Sequence, residues 1–286
     1  MSSPPKLELV SSPDDFDAVR NDPDPIRRGR RATALLSIYQ QRATELARLR
    51  REAIEEAHRS QDLTYTEIAA ALGISKGRIT QIRGGAPAAE RLFFGVGPVA
   101  VGVPLREGTD DRMRSYVDAA DLATQQDTVT LLATLALTAD EDTIAPDATT
   151  VPDGDAVVIC GPKSAPIGAA LLDGDPRLGM VRDDRWWIVD KATGERYGSP
   201  MSDSPPAAAD LGYLSRRRDG DRVIVHVAGL HSPGSRGVMH YLGRHLPELY
   251  RQTGDTSFSA IIRSELDGLT VTASHLHAGP FPWIST

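Results

Sequence analysis

The 286-residue chain holds a single cysteine. No disulfide can form within it, and Cys160, set after the apolar run Ala156-Val157-Val158-Ile159, is expected to be a buried thiol. No run approaches the roughly 18 apolar residues of a membrane-crossing helix. The first 24 residues are rich in Pro, Ser and Asp, and lack the basic stretch followed by an apolar one that marks a secretory leader. The expectation is a soluble, non-secreted protein of a reducing cytoplasm. Aromatic residues are few, at 5%. Trp186-Trp187 and Phe281-Pro282-Trp283 read as core and edge packing rather than as a base-stacking platform. His275 and His277 share a strand face, His240 and His245 do not align on a helix, and no paired carboxylates lie nearby. No metal site is assigned. No Ser-His-Asp order, catalytic carboxylate pair or activated cysteine stands out, so no catalytic residue is assigned either.

What the chain does have is an uneven charge. The net −7 would argue against a nucleic-acid partner, but charge is informative only segment by segment. Residues 26–85 hold twelve Arg or Lys against six acids, a net of +6, whereas residues 1–25 carry −4 and residues 86–286 carry −9. One short basic module is joined to a large acidic one. That is the distribution phosphate neutralisation needs.

Residues 1–25, with five prolines and scattered acids, are expected to be a disordered leader. From Arg28 to Arg59, Leu35, Ile38, Leu46, Leu49 and Ala53 recur at helical spacings, predicting one long amphipathic helix suited to pairing with a second copy. A linker is expected at 86–89, after Gly84-Gly85. Beyond it, over 90–286, strands are expected at 99–105, 156–160, 186–190 and 222–230, and helices at 118–137, 167–172 and 236–251. A closing strand pair, 258–265 with 269–275, surrounds Asp267-Gly268. Strands alternating with helices predict a Rossmann-like open α/β sheet, with room for an antiparallel edge, behind an N-terminal all-α module.

Residues 63–83 read Leu-Thr-Tyr-Thr-Glu-Ile-Ala-Ala-Ala-Leu-Gly-Ile-Ser-Lys-Gly-Arg-Ile-Thr-Gln-Ile-Arg. Two short helices crossing sharply need a small residue where they touch and a glycine where the chain turns, and Ala69 and Gly73 stand there. Ile68, Leu72, Ile74, Ile79 and Ile82 supply the packing positions, while Thr64 and Ser75 are suited to cap the helices. Over this segment the chain resembles helix-turn-helix transcriptional regulators, in the variety found in sigma-factor region 4. The resemblance implies binding to double-stranded DNA. Ser75, Lys76, Thr80 and Gln81 would reach base edges, Gln81 pairing with adenine, and Arg78 and Arg83 would hold phosphates.

Two glycine-containing turns in the larger segment each follow an expected strand and enter an expected helix. One carries Gly161, Lys163 and Ser164, and the other Gly229, His231, Ser232, Ser235 and Arg236. Such turns present N–H groups and cations to an anion beyond the carboxyl ends of strands. Neither fits the Walker or the dinucleotide pattern. The expectation is a homodimeric DNA-binding regulator whose second domain senses a phosphorylated or otherwise anionic small molecule, with no cofactor named. Two other classes stay open: an enzyme acting on a nucleotide-like substrate with an accessory helix-turn-helix, and a protein-interaction module.

Overall fold

The computed structural model describes residues 13–109, 112–268 and 270–283. It is a mixed α/β protein. Helix α1 spans Pro13–Arg20 and the 36-residue α2 spans Pro25–Ser60. Asp24 starts α2 by accepting from the backbone N–H groups of Ile26 and Arg27, with Pro25 in the first turn, where its missing N–H costs nothing. The disordered leader is therefore corrected for residues 13–25, residues 1–12 lying outside the described part. Asp22 is buried beneath α2 and accepts from Arg27 Nε at 2.7 Å and Arg31 Nη1 at 3.0 Å. This local charge pairing orders a segment that has no apolar period.

The inward face of α2 also differs from the apolar pattern. Leu35 and Ile54 are buried near its two ends, but the middle buries Gln41 and Arg48, while Leu46 and Leu49 are 66% and 43% exposed. The reason is a polar joint. Arg91, completely buried, donates to Glu45 Oε2 at 3.0 Å, to Gln41 Oε1 at 3.1 Å and to the Val96 carbonyl at 3.2 Å, and Gln41 Nε2 donates to Thr138 Oγ1. Arg91 sits on a 3₁₀ turn, Ala89–Phe94, whose Phe93 and Phe94 enter the main core. The buried Arg216 donates to the carbonyls of Leu92 and Phe93 and so fixes the same turn from the sheet side.

Past α2, helices α3 (Tyr65–Ala71) and α4 (Lys76–Gly85) fold back against its end. Thr64 and Glu67 cap α3 reciprocally, and Ser75 Oγ accepts from Arg78 N to cap α4. Gly73 turns the chain between them at φ 66°, a conformation with little cost only without a Cβ. Ile68, Ala69, Ile79 and Ile82 close a small core with Ile54. Leu72, expected to pack there, is 51% exposed. It forms the end of α3 and turns outward, leaving the half-buried Ile74 to fill the turn.

The body is built on β1 (Val99–Thr109), β2 (Met113–Val117), α5 (Ala119–Thr134), β3 (Ala139–Ile144), β4 (Asp155–Ile159) and α6 (Pro166–Asp173). These are followed by β5 (Leu178–Arg182), β6 (Trp186–Asp190), β7 (Arg196–Gly198), β8 (Ala209–Asp219), β9 (Arg222–Gly229), α7 (Ser232–Thr253), β10 (Phe258–Asp267) and β11 (Thr270–Pro282). Strands β3, β1, β4 and β9 run parallel, and β8, β10 and β11 continue the sheet antiparallel, while β2 forms a hairpin on the far end of β1. The antiparallel part is thus nearly half the sheet rather than an edge. Helices α5 and α7 cover one face, and α6 with the small sheet β5-β6-β7 covers the other. Every residue of β4 is buried, as a strand covered on both faces requires. No described helix is long and apolar enough to cross a membrane.

His226 of β9 lies in this core, fully buried. Its Nε2–H donates to the Cys160 carbonyl at 2.7 Å, and its ring packs edge-on to Tyr213. Burial pushes its pKa down to about 4. An unfolded chain takes up a proton at this histidine near pH 6.5 that the folded chain excludes, so its contribution is intact above pH 6.5 and lost as pH falls toward 4. The expected loss is about 3 kcal/mol on going from about pH 7 to about pH 4. Urea unfolding at several pH values should show this slope in the native chain and a flatter one in His226→Gln. An equal slope in both would assign the acid sensitivity to other groups.

Candidate functional site

Two surfaces gather functional side chains. The first is the outer face of α4. The inward Ile79 and Ile82 fix the helix rotation, and Ser75, Lys76, Arg78, Thr80, Gln81 and Arg83 are all exposed on the remaining surface. Arg78 Nη1 donates to Gln81 Oε1 at 3.1 Å, so the two act as a pair, and the Arg83 guanidinium lies 4.3 Å from the centre of the Tyr65 ring. Stacking holds Arg83 beside α3 with its charge outward.

The second surface is a cleft of about 350 Å³ in the body. Its floor is the carboxyl ends of β1, β4 and β9, lined by Pro104, Ile159 and Gly229. Adjacent parallel strands β4 and β9, in register from Ala156 with Ile224 to Ile159 with Val227, bring the two glycine turns side by side. Gly161, Lys163, Ser164, Gly229, His231, Ser232 and Ser235 all line it. The chain reverses direction here: from β1 it crosses through α5 to β3 on one side, then on to β4 at the other side of β1. A crevice opens beyond the strands where such a reversal occurs.

Arg236 is not part of this cleft. It donates from Nε to Asp127 Oδ2 of α5 at 2.8 Å. The physical reason is that α7 begins at Ser232, ahead of the expected start, so Arg236 lies within the helix, one residue beyond Ser235 and therefore about 100° around the axis. That rotation turns it toward α5.

Sequence reasoning missed the opposite wall. Arg106 of β1 pairs with Asp121 at 2.8 Å, and Arg185, Arg182 and Trp186 come from the small sheet. Burial raises the Asp121 carboxyl above its ordinary value, against the pull of Arg106. Arg185 is tied to Asp203 at 2.8 Å and lies 4.2 Å from the Trp187 ring centre. Lys163 and Arg182 form no ion pair or side-chain hydrogen bond among the described residues, and with Asp184 as the one lining carboxylate outside an ion pair the cleft keeps an excess of positive charge.

The helix that closes the cleft is positioned by one carboxylate. Asp210, the second residue of β8 and fully buried, accepts from His231 N at 3.1 Å and Gly234 N at 2.8 Å through Oδ2. Its Oδ1 faces His231 Nδ1 at 3.3 Å, and Ser199 Oγ approaches the same nitrogen at 3.1 Å. On the other side of the ring, Nε2 is 3.4 Å from Ser202 Oγ. The hydrogen bond that His231 donates to Asp210 raises the His231 pKa, with burial acting the other way. A Cβ at Gly234 would overlap the Leu211 carbonyl, so only glycine lets α7 approach β8 this closely. Cys160 also lines the cleft, but burial pushes its thiol up to about 11, leaving no thiolate at neutral pH. Among the described residues no group of His, Cys, Asp and Glu is arranged to hold a metal ion. Comparison of the chain with protein-family models, with curated proteins and with solved structures found no match.

Proposed function

We propose that this chain is a cytoplasmic, homodimeric DNA-binding transcriptional regulator, with a sigma-factor region 4-like helix-turn-helix in α3 and α4 and a Rossmann-like body that takes a small anionic ligand in its cleft. The observation that carries the reading is the exposed face of α4, where Lys76, Arg78, Thr80, Gln81 and Arg83 project from a helix whose inward side is fixed by Ile79 and Ile82. A recognition helix needs this division, with packing on one side and base-edge and phosphate groups on the other. Dimer formation is supported by α2. Leu36, Tyr39, Ala43, Leu46, Arg50 and Ala53 are exposed at alternating spacings of three and four, the repeat of a coiled-coil seam. The parallel order β3-β1-β4-β9 and the unpaired Lys163 and Arg182 support a ligand that is an anion.

The test uses the full chain and genomic DNA fragments. Affinity is expected to fall steeply with salt, and Arg83→Ala should weaken all sequences alike and reduce the slope of log K against log salt by about 1. Gln81→Ala should instead relax preference at one base pair, with a cost of about 1–3 kcal/mol at the preferred site. Binding that ignored salt would sink the reading. A uniform loss in both variants would remove the assignment of Gln81 to base recognition.

A further inference from the structure

We propose that the cleft is hydrolytic as well as receptive, with Ser202 as nucleophile, His231 as general base and Asp210 as the residue that positions the imidazole, acting on an acyl ester with an anionic tail. The inference shares the cleft of the preceding reading but does not need the chain to bind DNA.

The three side chains come from three separate places: a 3₁₀ turn (Pro200–Ser202), the first residues of β8, and the N-cap of α7. Asp210 has no freedom to turn away, because its Oδ2 is held by two backbone N–H groups of the α7 start while Oδ1 faces the ring. Because Asp210 acts as an acceptor toward the α7 start, its Oδ1 calls for the ring proton on Nδ1. Nε2 is then left as an acceptor, and the hydroxyl at 3.4 Å is Ser202. This is the nucleophile, base and orienting acid relation of serine hydrolases, recognised by geometry and not by chain order. Here the order is Ser, Asp, His. Ser199 Oγ also accepts at Nδ1 and braces the same ring orientation. Unlike the buried His226, His231 has a side chain 43% exposed, and both it and Ser202 line the cleft.

The surroundings suit an acyl transfer to water. In the first half, Ser202 Oγ forms a bond to the acyl carbon as His231 Nε2 takes the hydroxyl proton. The carbon to leaving-oxygen bond then breaks and that proton passes to the departing alcohol. In the second half, water gives a proton to Nε2 and its oxygen bonds to the acyl carbon, the bond to Oγ breaks, and Oγ recovers the proton. No oxidant or further reactant is required. Arg185, anchored to Asp203 next to Ser202, lines the same cleft and is the candidate N–H donor to the developing oxyanion, the type of stabilisation that carries the largest share of such catalysis. Lys163 and Arg182 offer the charge that would select a substrate bearing a phosphate or carboxylate.

The experiment treats the intact protein with a fluorophosphonate probe and maps the modified residue by mass spectrometry, with p-nitrophenyl acetate hydrolysis measured in parallel. Labelling is expected at Ser202. It should vanish in Ser202→Ala and slow by about 100-fold or more in His231→Asn, where asparagine still suits the start of α7. Asp210→Asn should slow labelling and move its pH midpoint downward, because the carboxylate raises the His231 pKa. Circular dichroism confirms that each variant is folded, and the exposed Ser202 makes its alanine variant the safest of the three. Labelling absent from Ser202, or unchanged in His231→Asn, overturns the proposal. Inorganic phosphate protecting Lys163 from acetylation without any labelling of Ser202 also overturns it, while leaving the cleft a receptor only.

Discussion

Asp210→Ala is expected to lower the stability of the body by about 2–3 kcal/mol, because it leaves the buried Gly234 N–H and the part-buried His231 N–H without their shared carboxylate acceptor. Two backbone N–H groups, those of His231 and Gly234, and the His231 ring converge on this one carboxylate. Each buried donor left unsatisfied costs about 1–3 kcal/mol, and bonds to charged acceptors lie toward the upper end. Gly234 N also meets the His231 carbonyl at 3.0 Å, which softens the loss at that position but not at the others. The damage should be confined at first to the beginning of α7 and the cleft edge it forms. Hydrogen exchange should show faster exchange at residues 231–235 while Leu242, Leu246 and Leu249, deep in the core, remain protected. A thermal midpoint unchanged from the native chain would mean that the α7 start is held by its glycine packing and not by the carboxylate.

The second large effect concerns the joint between α2 and the body. Arg91→Leu removes a completely buried guanidinium, strands Gln41 Oε1 and the Val96 carbonyl, and takes one of two donors from Glu45 Oε2. Burial, with the Arg48 charge, lowers the Arg91 pKa and Glu45 opposes this, so Arg91 depends on its Glu45 partner. Breaking a buried pair from one side costs about 3–5 kcal/mol. Glu45 keeps two bonds from Arg48 Nε and one from Nη2, which places the expected cost near the lower figure. Chain opening should begin at Gln41 and Thr138, whereas the core of Ile54, Ile68, Ala69, Ile79 and Ile82 is closed independently and should survive. Exchange protection lost over residues 35–48 but kept over 65–82 is the expected pattern. Loss over both segments together would show that the helical module has no stability of its own.

Local signals are legible in the sequence and distant ones are not. Thr64, Gly73 and Ser75 mark the ends of α3 and α4, because capping and a left-handed turn are decided by a few neighbouring residues. The glycine turns after β4 and β9 are visible for the same reason. The buried side of α2 escapes, since Gln41 and Glu45 face inward to meet an arginine some 50 residues away, with Arg48 paired to Glu45 beside them, and polar side chains in a helix ordinarily read as solvated. Asp210 and Ser202 give no signal either. They meet His231 only because β8 lies beside β9, a pairing that no local pattern reveals. Strand β8 carries no clear signal of its own, which is why the antiparallel half of the sheet reads from sequence as a mere edge.

The joint and the cleft lie at opposite ends of the same strands. Val96 and Gly97, just before β1, and Asp155, at the start of β4, are tied together at the α2 end, and Arg106 and Gly161 face the cleft at the other. At about 3.3 Å per residue, β4 alone separates the two by roughly 15 Å. None of the joint residues Gln41, Glu45, Arg91, Val96, Thr138 and Asp155 lines the cleft. Descendants of this chain are free to exchange the cleft wall, much of which comes from the small β5-β6-β7 sheet inserted between α6 and β8, while keeping the basic helices unchanged. A hybrid that joins residues 13–98 of one such protein to the body of another should fold wherever the polar joint of Gln41, Glu45, Arg91 and Thr138 and the contacts of Phe93, Phe94, Asp155 and Arg216 are retained.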